Sequence, residues 1–456
     1  MQTKYNFTTK PSNVKKIKTL NRKIYSKIPF PGTNQILKNI KKYESKSMHS
    51  QLPIVWKKAS GFNVYDLGNN KYIDFTSTIF VTNIGHSNEH FLKTIKKTLN
   101  NKLIHTYIYA SKLREAYLKK LLNFAGKNFD KAFLLSSGSE ATEAGLKLMR
   151  YYGNKINKKK SGIICFKGNW HGRTLGSQMM SGNENQKKWI GYKDPNIHHF
   201  QFPYKWTLSK IDSKNLIKKD LQKLKKKNIN LKKDICGVMF ETFQGWCSAF
   251  YPKDYIKTFY KLCKENDILV AFDEIQAGFG RTGLKFGYQH YNVEPDLICC
   301  AKAMGNGFPL SGVLGKKKIL DIPNAGEMSS THSANPLACA AGISVLEEIQ
   351  KRNLISESKK KGIILQEGLD NIKKNHSNLV SNVFGKGMIA AIIFNNYKNY
   401  SGSFIANKIC EMCMKRGLLL VHTGRESIKI GPPLIISKSA LKEGIKILYE
   451  CINEIY

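Results

Sequence analysis

Short apolar runs alternate with helical stretches between about residues 89 and 346. The runs occupy six segments, at 131–135, 162–166, 235–240, 268–272, 297–301 and 312–315. Nearly continuous apolar strands separated by helices are typical of a mostly parallel sheet that is covered on both faces. The pattern therefore predicts an α/β fold in which ligands bind beyond the carboxyl ends of the strands.

The two ends of the chain follow a different pattern. Segments between residues 55 and 75 alternate, with turn signals at Ser60-Gly61 and Gly68-Asn69-Asn70, which predicts a small antiparallel sheet. Alternation returns after a helix predicted over 338–351. We therefore expect four parts: a basic arm at 1–50, the first part of a small domain at 51–88, a large domain at 89–345, and the rest of a smaller α/β domain at 346–456.

The charge of the chain leaves two interpretations open. Its 456 residues include 74 Lys and Arg against 33 Asp and Glu, a formal net charge of +41. This excess is compatible with a polyanion-binding protein. However, only eight of the basic residues are Arg, the residue that nucleic-acid-binding proteins use for bidentate contacts. We therefore favour a solvated surface, including a Lys-rich surface helix within 205–233, and expect no specific nucleic acid.

The ten cysteines lie mostly in apolar runs, which is typical of reduced, buried thiols and of a reducing compartment. Cys410 and Cys413 form a CxxC motif inside a predicted helix, but no second pair or His cluster accompanies it, so we expect no metal site. No signal peptide is recognisable, and nowhere do 18 apolar residues follow one another. These features predict a cytoplasmic protein that has no membrane span.

The first candidate site residues follow the run at 131–135. There Ser137-Gly138-Ser139 precedes a helix predicted over 141–151. A turn of small residues at a helix N-terminus offers N–H groups and hydroxyls to a phosphate. A serine that only caps the helix is equally consistent with this segment taken alone.

Two further strand ends carry charged residues. Asp273 and Glu274 follow the run at 268–272, where a carboxylate binds metal, transfers protons or pairs with a cationic ligand. Lys302 follows the run at 297–301 and precedes Gly305-Asn306-Gly307; it is a candidate Schiff-base lysine, although a lysine that extends to solvent fits the same pattern. Together, a phosphate turn, an acid and a lysine at one sheet edge match the needs of pyridoxal 5'-phosphate.

The sequence resembles the class III pyridoxal-phosphate aminotransferases, especially those acting on 4-aminobutyrate and other ω-amino acids. The resemblance runs from about residue 53 to residue 433. It rests on seven motifs in family order: Ser137-Gly138-Ser139-Glu140-Ala141, Trp170-His171-Gly172-Arg173-Thr174, Glu241-Thr242-Phe243-Gln244-Gly245, Asp273-Glu274-Ile275-Gln276-Ala277-Gly278-Phe279-Gly280-Arg281-Thr282-Gly283, Lys302, Asn335-Pro336-Leu337-Ala338 and Gly431-Pro432-Pro433-Leu434.

The resemblance implies a type I pyridoxal-phosphate fold and a role for each matched residue. Lys302 is expected to hold the cofactor covalently and to move the substrate proton. Asp273 is expected to bind the pyridine N–H, Gln276 the ring hydroxyl, and Ile275 and Trp170 the two ring faces. Trp170 departs from the usual Phe or Tyr of the family.

The resemblance also implies how the phosphate is bound and how the chain assembles. Gly138 and Ser139 match the phosphate turn. Thr331 matches a threonine that the family contributes from a neighbouring subunit, so a homodimer with shared sites is implied.

Three residues concern the substrates. Arg173 matches the arginine that binds the carboxylate of an ω-amino donor, a task suited to a planar guanidinium. Glu241 matches the partner of a C-terminal arginine that binds the 2-oxo acid acceptor, but Lys429 stands in that arginine's place. Lysine lacks the fork of arginine, so 2-oxoglutarate and pyruvate both stay open as acceptors, and Arg425 is an alternative cation.

The expected activity is a ping-pong aminotransferase that moves an amino group from a donor, such as 4-aminobutyrate, to a 2-oxo acid. A racemase, epimerase or aminomutase resembling the same family is the alternative, because such enzymes keep the lysine and the acid. We expect His171 and Glu274 to be hydrogen-bonded structural residues.

Overall fold

The structure is a computed structural model that describes residues 1–49, 51–204 and 212–455. The segment 205–211 of the predicted Lys-rich helix lies outside the described residues. Strands and helices are numbered along the chain. The strands are β1 Ile17–Lys18, β2 Lys23–Ile24, β3 Trp56–Ser60, β4 Asn63–Asp66, β5 Lys71–Asp74, β6 Lys131–Leu135, β7 Gly162–Phe166, β8 Ile197–Phe200, β9 Ile235–Glu241, β10 Phe243–Gln244, β11 Ala249–Phe250, β12 Leu269–Asp273, β13 Leu297–Cys300, β14 Ser311–Gly315, β15 Val380–Lys386, β16 Ile389–Phe394, β17 Leu418–Leu419, β18 Val421–His422 and β19 Ser427–Ile430.

The helices vary from one turn to 22 residues in length. They are α1 Thr33–Tyr43, α2 Ser77–Phe80, α3 Glu89–Asn100, α4 Lys112–Ala125, α5 Gly138–Ile156, α6 Leu175–Met180, α7 Ser213–Lys226, α8 Leu231–Asp234, α9 Lys253–Glu265, α10 Lys317–Leu320, α11 Pro336–Lys351, α12 Leu354–Asn375, α13 Gly402–Lys415 and α14 Lys438–Asn453. Short 3₁₀ segments lie at Lys46–Met48, Glu184–Ile190, Gly287–Tyr291 and Lys302–Met304. Among the described residues, no helix is long and apolar enough to cross a membrane.

The described chain divides into two compact units. Unit 1 consists of residues 1–88, 246–248 and 356–456, and unit 2 of residues 89–245 and 249–355. The N-terminal segment belongs to unit 1, where β2 pairs with β5. Helix α11, which begins at Pro336, belongs to unit 2.

Unit 2 contains a seven-stranded sheet in the order β6-β14-β13-β12-β9-β7-β8. Only β14 runs against the others, since it pairs antiparallel with both β13 and β6. The predicted mostly parallel α/β sheet is therefore confirmed. The six parallel strands end at one edge, which brings segments that are distant in sequence together.

Helix α5 packs closely on this sheet. A Cβ atom at Gly145 would lie 2.9 Å from Cys299 Sγ on β13 and 3.1 Å from Met239 Cε on β9, so glycine permits the approach. Leu148, Met149 and Cys299 are buried in the same apolar cluster. Their burial excludes water from the sheet face and stabilises the helix that begins at the strand ends.

Unit 1 contains two smaller sheets. The strands β3, β4 and β5 pair antiparallel, as the turn signals at residues 60–61 and 68–70 predict. The second sheet has the order β15-β16-β19-β18, and its central strand β19 carries Lys429, opposite Ala391 on β16 and Val421 on β18.

Candidate active site

A cavity of about 170 Å³ lies at the carboxyl edge of the sheet in unit 2. It is lined by residues that follow β6, β7, β9, β12 and β13. Eight of the eleven predicted site residues line it: Gly138, Ser139, Trp170, Glu241, Asp273, Ile275, Gln276 and Lys302. Residues up to 164 positions apart in sequence, from Gly138 to Lys302, thus face one space because parallel strands end together.

The N-terminus of α5 forms one wall of the cavity. The Ser137 hydroxyl accepts a hydrogen bond from Glu140 N at 3.3 Å, and the Glu140 carboxylate accepts bonds from Ser136 N at 3.2 Å and Ser137 N at 2.6 Å. This capping box satisfies three of the N–H groups at the turn. Among the described residues, the N–H groups of Gly138 and Ser139 have no acceptor, so they are available to an anion.

A side chain at position 138 would crowd the cavity wall. A Cβ atom on Gly138 would lie 3.1 Å from Ile275 Cδ1. Glycine therefore allows the phosphate turn and Ile275 to approach closely, and Ile275 presents its aliphatic side chain to the cavity.

Asp273 is buried at the end of β12 and is held from two directions. Its Oδ1 accepts a hydrogen bond from Ile275 N at 3.0 Å, and its Oδ2 lies 3.0 Å from His171 Nδ1. His171 is itself buried, and its backbone N–H donates to Ser181 Oγ at 2.8 Å. The expectation that His171 is hydrogen-bonded is confirmed for Nδ1, whereas Nε2 has no partner among the described residues.

His171 is the residue whose importance the sequence did not reveal. Its Nδ1 atom orients the Asp273 carboxylate by a hydrogen bond. Side chains that bind a ligand are commonly held in orientation by such a bond to a neighbouring residue. The position of His171 next to the predicted ring-stacking Trp170 was the only hint in the sequence that it lies in the site. Its partner Asp273 could not be recognised, because it is 102 residues away in sequence.

Lys302 follows β13 and begins a 3₁₀ turn with a φ of +47°, a left-handed conformation that non-glycine residues rarely adopt. Lys302 lines the cavity. Burial lowers the pKa of the Lys302 amine below its ordinary value, while the negative charges of Asp273 and Glu241 oppose the shift. The sheet therefore presents a desolvated lysine beside two carboxylates.

Glu241 and Glu274 have different surroundings. Glu241, at the end of β9, accepts a hydrogen bond from Trp170 N at 3.0 Å and lines the cavity. Glu274 accepts bonds from Thr242 Oγ1 at 2.7 Å, Gly287 N at 2.7 Å and Tyr288 N at 2.6 Å. Burial raises the pKa of Glu274 to about 7. These contacts agree with the structural role expected for Glu274.

Arg173 and Thr331 are exposed and lie outside the cavity wall. The Arg173 guanidinium stacks over the Trp170 ring at 4.6 Å, and its backbone N–H donates to Ser139 Oγ at 3.2 Å. It therefore lies next to a wall residue, with no ion pair among the described residues. Thr331 belongs to the loop before α11, where its carbonyl lies 2.7 Å from His105 Nε2.

Lys429 belongs to unit 1. Its side chain is buried, and its amine lies 4.3 Å from the centroid of the Phe80 ring. Arg425, in the turn before β19, stacks on Trp246 at 3.6 Å and pairs with Glu426 at 3.2 Å. Both cations thus contact an aromatic ring inside unit 1.

A larger cavity, of about 670 Å³, lies beside α5 and is lined by residues such as Glu143, Arg150 and Met328. It contains none of the strand-end acids and no strand-end lysine, so we place the chemistry in the smaller cavity. Within residues 1–49, 51–204 and 212–455, no group of three or more His, Cys, Asp or Glu side chains is arranged to hold a metal ion.

Comparison with known proteins decides the family. The model of the family described as "Aminotransferase class-III" matches residues 44–452. The chain belongs to the class III aminotransferases. The resemblance inferred from the motifs is thereby confirmed, together with the enzyme class.

Individual members of the family match over nearly the whole chain. The acetylornithine aminotransferase of Caldanaerobacter subterraneus subsp. tengcongensis is 32% identical over 422 residues, which cover 91% of this chain and 99% of that protein. Ornithine aminotransferase 1 of Staphylococcus saprophyticus is 30% identical over 419 residues, covering 91% and 98%. The crystal structure of a Bacillus anthracis aminotransferase superposes with a TM-score of 0.84 at 25% identity, covering 92% of this chain and 98% of that one.

This class III aminotransferase therefore has the type I pyridoxal-phosphate fold and uses pyridoxal 5'-phosphate, as the sequence predicted. Its cavity fits that cofactor. Two N–H groups of α5 without acceptors suit the phosphate, and the buried Asp273 suits a protonated ring nitrogen. The enzyme uses an amino donor and a 2-oxo acid as substrates.

Proposed function

We propose that this aminotransferase moves the terminal amino group of an ω-amino acid to a 2-oxo acid by a ping-pong mechanism. One observation carries the proposal: a single cavity joins the desolvated Lys302 amine, the His171-Asp273 pair and the two N–H groups of α5 that have no acceptor. The three are the base, the acid partner and the anion site that the reaction requires.

Lys302 and Asp273 are proposed to handle protons. When bound, pyridoxal 5'-phosphate supplies an aldehyde that condenses with amines and a ring that accepts electrons from a carbanion. The lowered pKa of Lys302 favours the neutral form of the amine relative to an exposed lysine, and Nζ is proposed to accept the substrate Cα proton and to return it. The Asp273 carboxylate, oriented by His171 Nδ1, holds a proton at the ring nitrogen.

The other cavity residues are proposed to orient the cofactor. Gly138 and Ser139 bind the phosphate through their N–H groups, and the Ser139 hydroxyl adds a donor. Trp170 and Ile275 cover the two ring faces, which excludes water from the reacting atoms. Gln276 is assigned to the ring hydroxyl.

The donor is proposed to carry a carboxylate at the end remote from the reacting amine. Arg173 supports this, because its guanidinium stacks on Trp170 at the cavity wall without an ion pair among the described residues. The names of the relatives, acetylornithine aminotransferase and ornithine aminotransferase 1, refine the choice. We propose N-acetylornithine or ornithine as the amino donor in preference to 4-aminobutyrate. All three compounds are ω-amino acids.

The acceptor, assembly and location are further proposals. Glu241 and Lys429 are proposed to select the 2-oxo acid, with the single charge of lysine giving weaker discrimination than arginine between 2-oxoglutarate and pyruvate. Thr331 is proposed to reach the site of a second copy in a homodimer. We assign the enzyme to the cytoplasm.

A panel of amino donors tests the proposal. The cofactor-loaded enzyme is mixed with N-acetylornithine, ornithine, 4-aminobutyrate or alanine, and the change in the absorbance of the bound cofactor is followed. We expect Arg173→Ala to raise the KM for the ω-amino acids about 10- to 100-fold, the range for losing a charged hydrogen bond, with little effect on alanine.

The matched control is Arg352→Ala, which removes another exposed arginine, one that pairs with Glu348 in α11. An unchanged donor profile in Arg173→Ala would remove the substrate assignment. Continuous turnover of one amino acid without any 2-oxo acid would instead favour an isomerase over an aminotransferase.

A further inference from the structure

A cavity of about 710 Å³ in unit 2 lies at β8, the strand at one end of the sheet order. We call it the edge cavity. It is lined by residues that include members of the 3₁₀ segment Glu184–Ile190, of β8 and of α7. Among the described residues, none lines both the edge cavity and the active-site cavity. Its volume lies within the range of about 300–1,000 Å³ that is typical of small-molecule sites, so the edge of the sheet has room for a second ligand.

Two neighbouring histidines of β8 differ in their hydrogen bonds. The Nε2 atom of His199 lies 3.1 Å from the carbonyl oxygens of Met180 and Ser181. His198 lines the edge cavity and is only 7% exposed, yet its ring has no hydrogen-bond partner within residues 1–49, 51–204 and 212–455. Buried polar groups nearly always have a partner, so one without a protein partner indicates a water, an ion or a ligand. His198 therefore presents a hydrogen-bonding group to the edge cavity.

Three carboxylates line the edge cavity, and each already has a cationic partner. The pairs are Glu184 with Lys187 at 2.8 Å, Asp194 with Arg150 at 2.7 Å and Asp220 with Lys223 at 2.6 Å. Asp194 also accepts the backbone N–H of Asn196 at 2.9 Å, and Asp220 accepts that of Gln201 at 3.1 Å. A cationic ligand would have to compete with these partners, which makes the carboxylates a poor site for it.

Two lysines of the edge cavity have no ion pair among the described residues. Lys188 lies in the 3₁₀ segment, and Lys227 is the C-cap residue of α7. Burial lowers the pKa of His198 to about 4, and the positive charge of Lys227 adds to the shift, against the charges of two aspartates. Near pH 7 the imidazole is therefore neutral and has one N–H to donate. The charge that the carboxylates leave unmatched in the edge cavity is positive, which favours an anion.

Other parts of the wall are aromatic or aliphatic. Tyr192 lines the edge cavity and is 60% exposed, and Met179, Ile190 and Ile197 add apolar surface. An exposed aromatic ring offers a stacking face to a planar group, such as the base of a nucleotide. Cations for an anionic group and apolar surface for an organic group thus line the same cavity.

We propose that the edge cavity binds an organic phosphate, with the phosphate group at Lys188, Lys227 and His198 and the organic group against Tyr192. A phosphate monoester carries about two negative charges near pH 7, which two lysines match as point charges. Its oxygens are hydrogen-bond acceptors, so they suit the N–H of the neutral imidazole. Adenosine monophosphate combines a phosphate with a planar base and serves as the probe.

Calorimetric titration of the cofactor-loaded enzyme with adenosine monophosphate tests the proposal. Bound pyridoxal 5'-phosphate keeps the probe away from the phosphate turn of the active site. We expect saturable binding of one adenosine monophosphate per chain at physiological ionic strength. Adenosine, which lacks the phosphate, is expected to bind at least about ten-fold more weakly, because the charged contacts are lost. Equal affinities for the two compounds would overturn the proposal, as would the absence of saturable binding.

Two adjacent lysines separate the edge cavity from the general basic surface. Lys227→Gln is expected to weaken the binding of adenosine monophosphate about ten-fold. The matched control is Lys226→Gln, which removes the same charge from an exposed residue of α7 that is not part of the cavity wall, and its affinity is expected to stay within about two-fold of wild type. Equal weakening by the two substitutions would overturn the proposal, because the probe would then be held by the net charge of the surface.

The buried histidine is tested by a variant that keeps an aromatic ring. His198→Phe removes the N–H donor and is expected to weaken the binding of adenosine monophosphate about five-fold. Circular dichroism checks that the variant is folded. An unchanged affinity in the folded variant would contradict the proposed contact between His198 and the phosphate.

Acetylation of lysines by acetic anhydride, followed by mass spectrometry, locates the bound probe without any substitution. Saturating adenosine monophosphate is expected to slow the acetylation of Lys188 and Lys227 about five-fold or more and to leave Lys226 unchanged. Protection that is confined to lysines outside the edge cavity would overturn the proposal.

Discussion

Unit 2 contains a lysine with a lowered pKa at each edge of its sheet, and the two lysines show how desolvation and function differ. Lys160 precedes β7, at the amino ends of the parallel strands, and Lys302 follows β13, at their carboxyl ends. Burial lowers the pKa of both amines. A shifted pKa is therefore insufficient to identify the lysine that does chemistry.

The neighbours of the two amines make the distinction. Lys160 Nζ donates to Lys232 O at 2.6 Å and to Asn266 O at 3.0 Å, which ties three segments together at the amino edge. Lys302 faces a cavity that also contains the carboxylates of Asp273 and Glu241. The amino edge uses its lysine as a structural donor, whereas the carboxyl edge leaves an amine available for reaction.

The largest expected effect is the loss of the Lys302 amine. We predict that Lys302→Ala lowers kcat at least about 10³-fold, because it removes the amine that we propose as covalent anchor and proton carrier. Steady-state assays with a donor and a 2-oxo acid measure the change, and circular dichroism checks the fold. If Lys302→Ala keeps a tenth of the wild-type kcat, the lysine at the carboxyl edge of the sheet is not the reactive amine.

The second prediction concerns the acid at the same edge. Asp273→Asn is expected to lower kcat about 10²- to 10³-fold, the range for removing one electrostatic stabiliser from an enclosed site. The amide keeps the shape but cannot hold the proton at the ring nitrogen. Asp321→Asn, which alters an exposed ion pair with Lys131, is the control. A kcat within five-fold of wild type would remove Asp273 from the mechanism.

The third prediction concerns the amino edge. Lys160→Met is expected to leave kcat within about two-fold of wild type but to lower the free energy of unfolding by about 2–4 kcal/mol, because the buried amine no longer joins the carbonyls of Lys232 and Asn266. Urea denaturation and an activity assay on the same preparation measure both quantities. Lost activity with unchanged stability would reverse the assignment of roles.

The smallest effect is expected at Glu274, beside Asp273. Its pKa in the folded protein is raised from 4.5 to about 7, so the folded state binds more protons than the unfolded state between these values. The contribution of Glu274 to stability is therefore greatest below pH 4.5 and falls as the pH rises to about 7, by about 3 kcal/mol in all.

Glu274→Gln removes that titration. The free energy of unfolding of both proteins is measured by denaturation at pH 5 and at pH 7.5. We expect the variant to be more stable, relative to wild type, at pH 7.5 than at pH 5. A constant difference would mean that Glu274 titrates in the folded protein as it does in the unfolded chain.

The sequence predicted most strands of unit 2, because buried strands need nearly continuous apolar residues. The runs at 131–135 and 162–166 coincide with β6 and β7, and the other four differ from the observed strands by one residue at one end or at both ends. The edge strand β8 was missed. It contains His198 and His199 and only four residues, so its hydropathy does not differ from that of a loop, and its pairing with β7 alone makes it a strand.

The sequence also identified the cofactor chemistry, since strand-end residues of a parallel sheet meet whatever the details of packing. It could not show that His171 holds Asp273 or that Arg173 stacks on Trp170. Each of these is a contact between segments far apart in the chain, and side-chain pairing across such distances depends on how the elements pack.

The sequence by itself determined the fold class and the family, and it predicted the lysine, the acid and the phosphate turn that the structure brings to one cavity. Hydrophobic periodicity and motif spacing are local properties of the chain, so they can be recognised before folding. Only the tertiary structure decided which of two desolvated lysines faces a cavity and which is bound to carbonyls. The desolvation and hydrogen bonding of an amine depend on all the segments that surround it, and the two edges of one sheet bring different segments together.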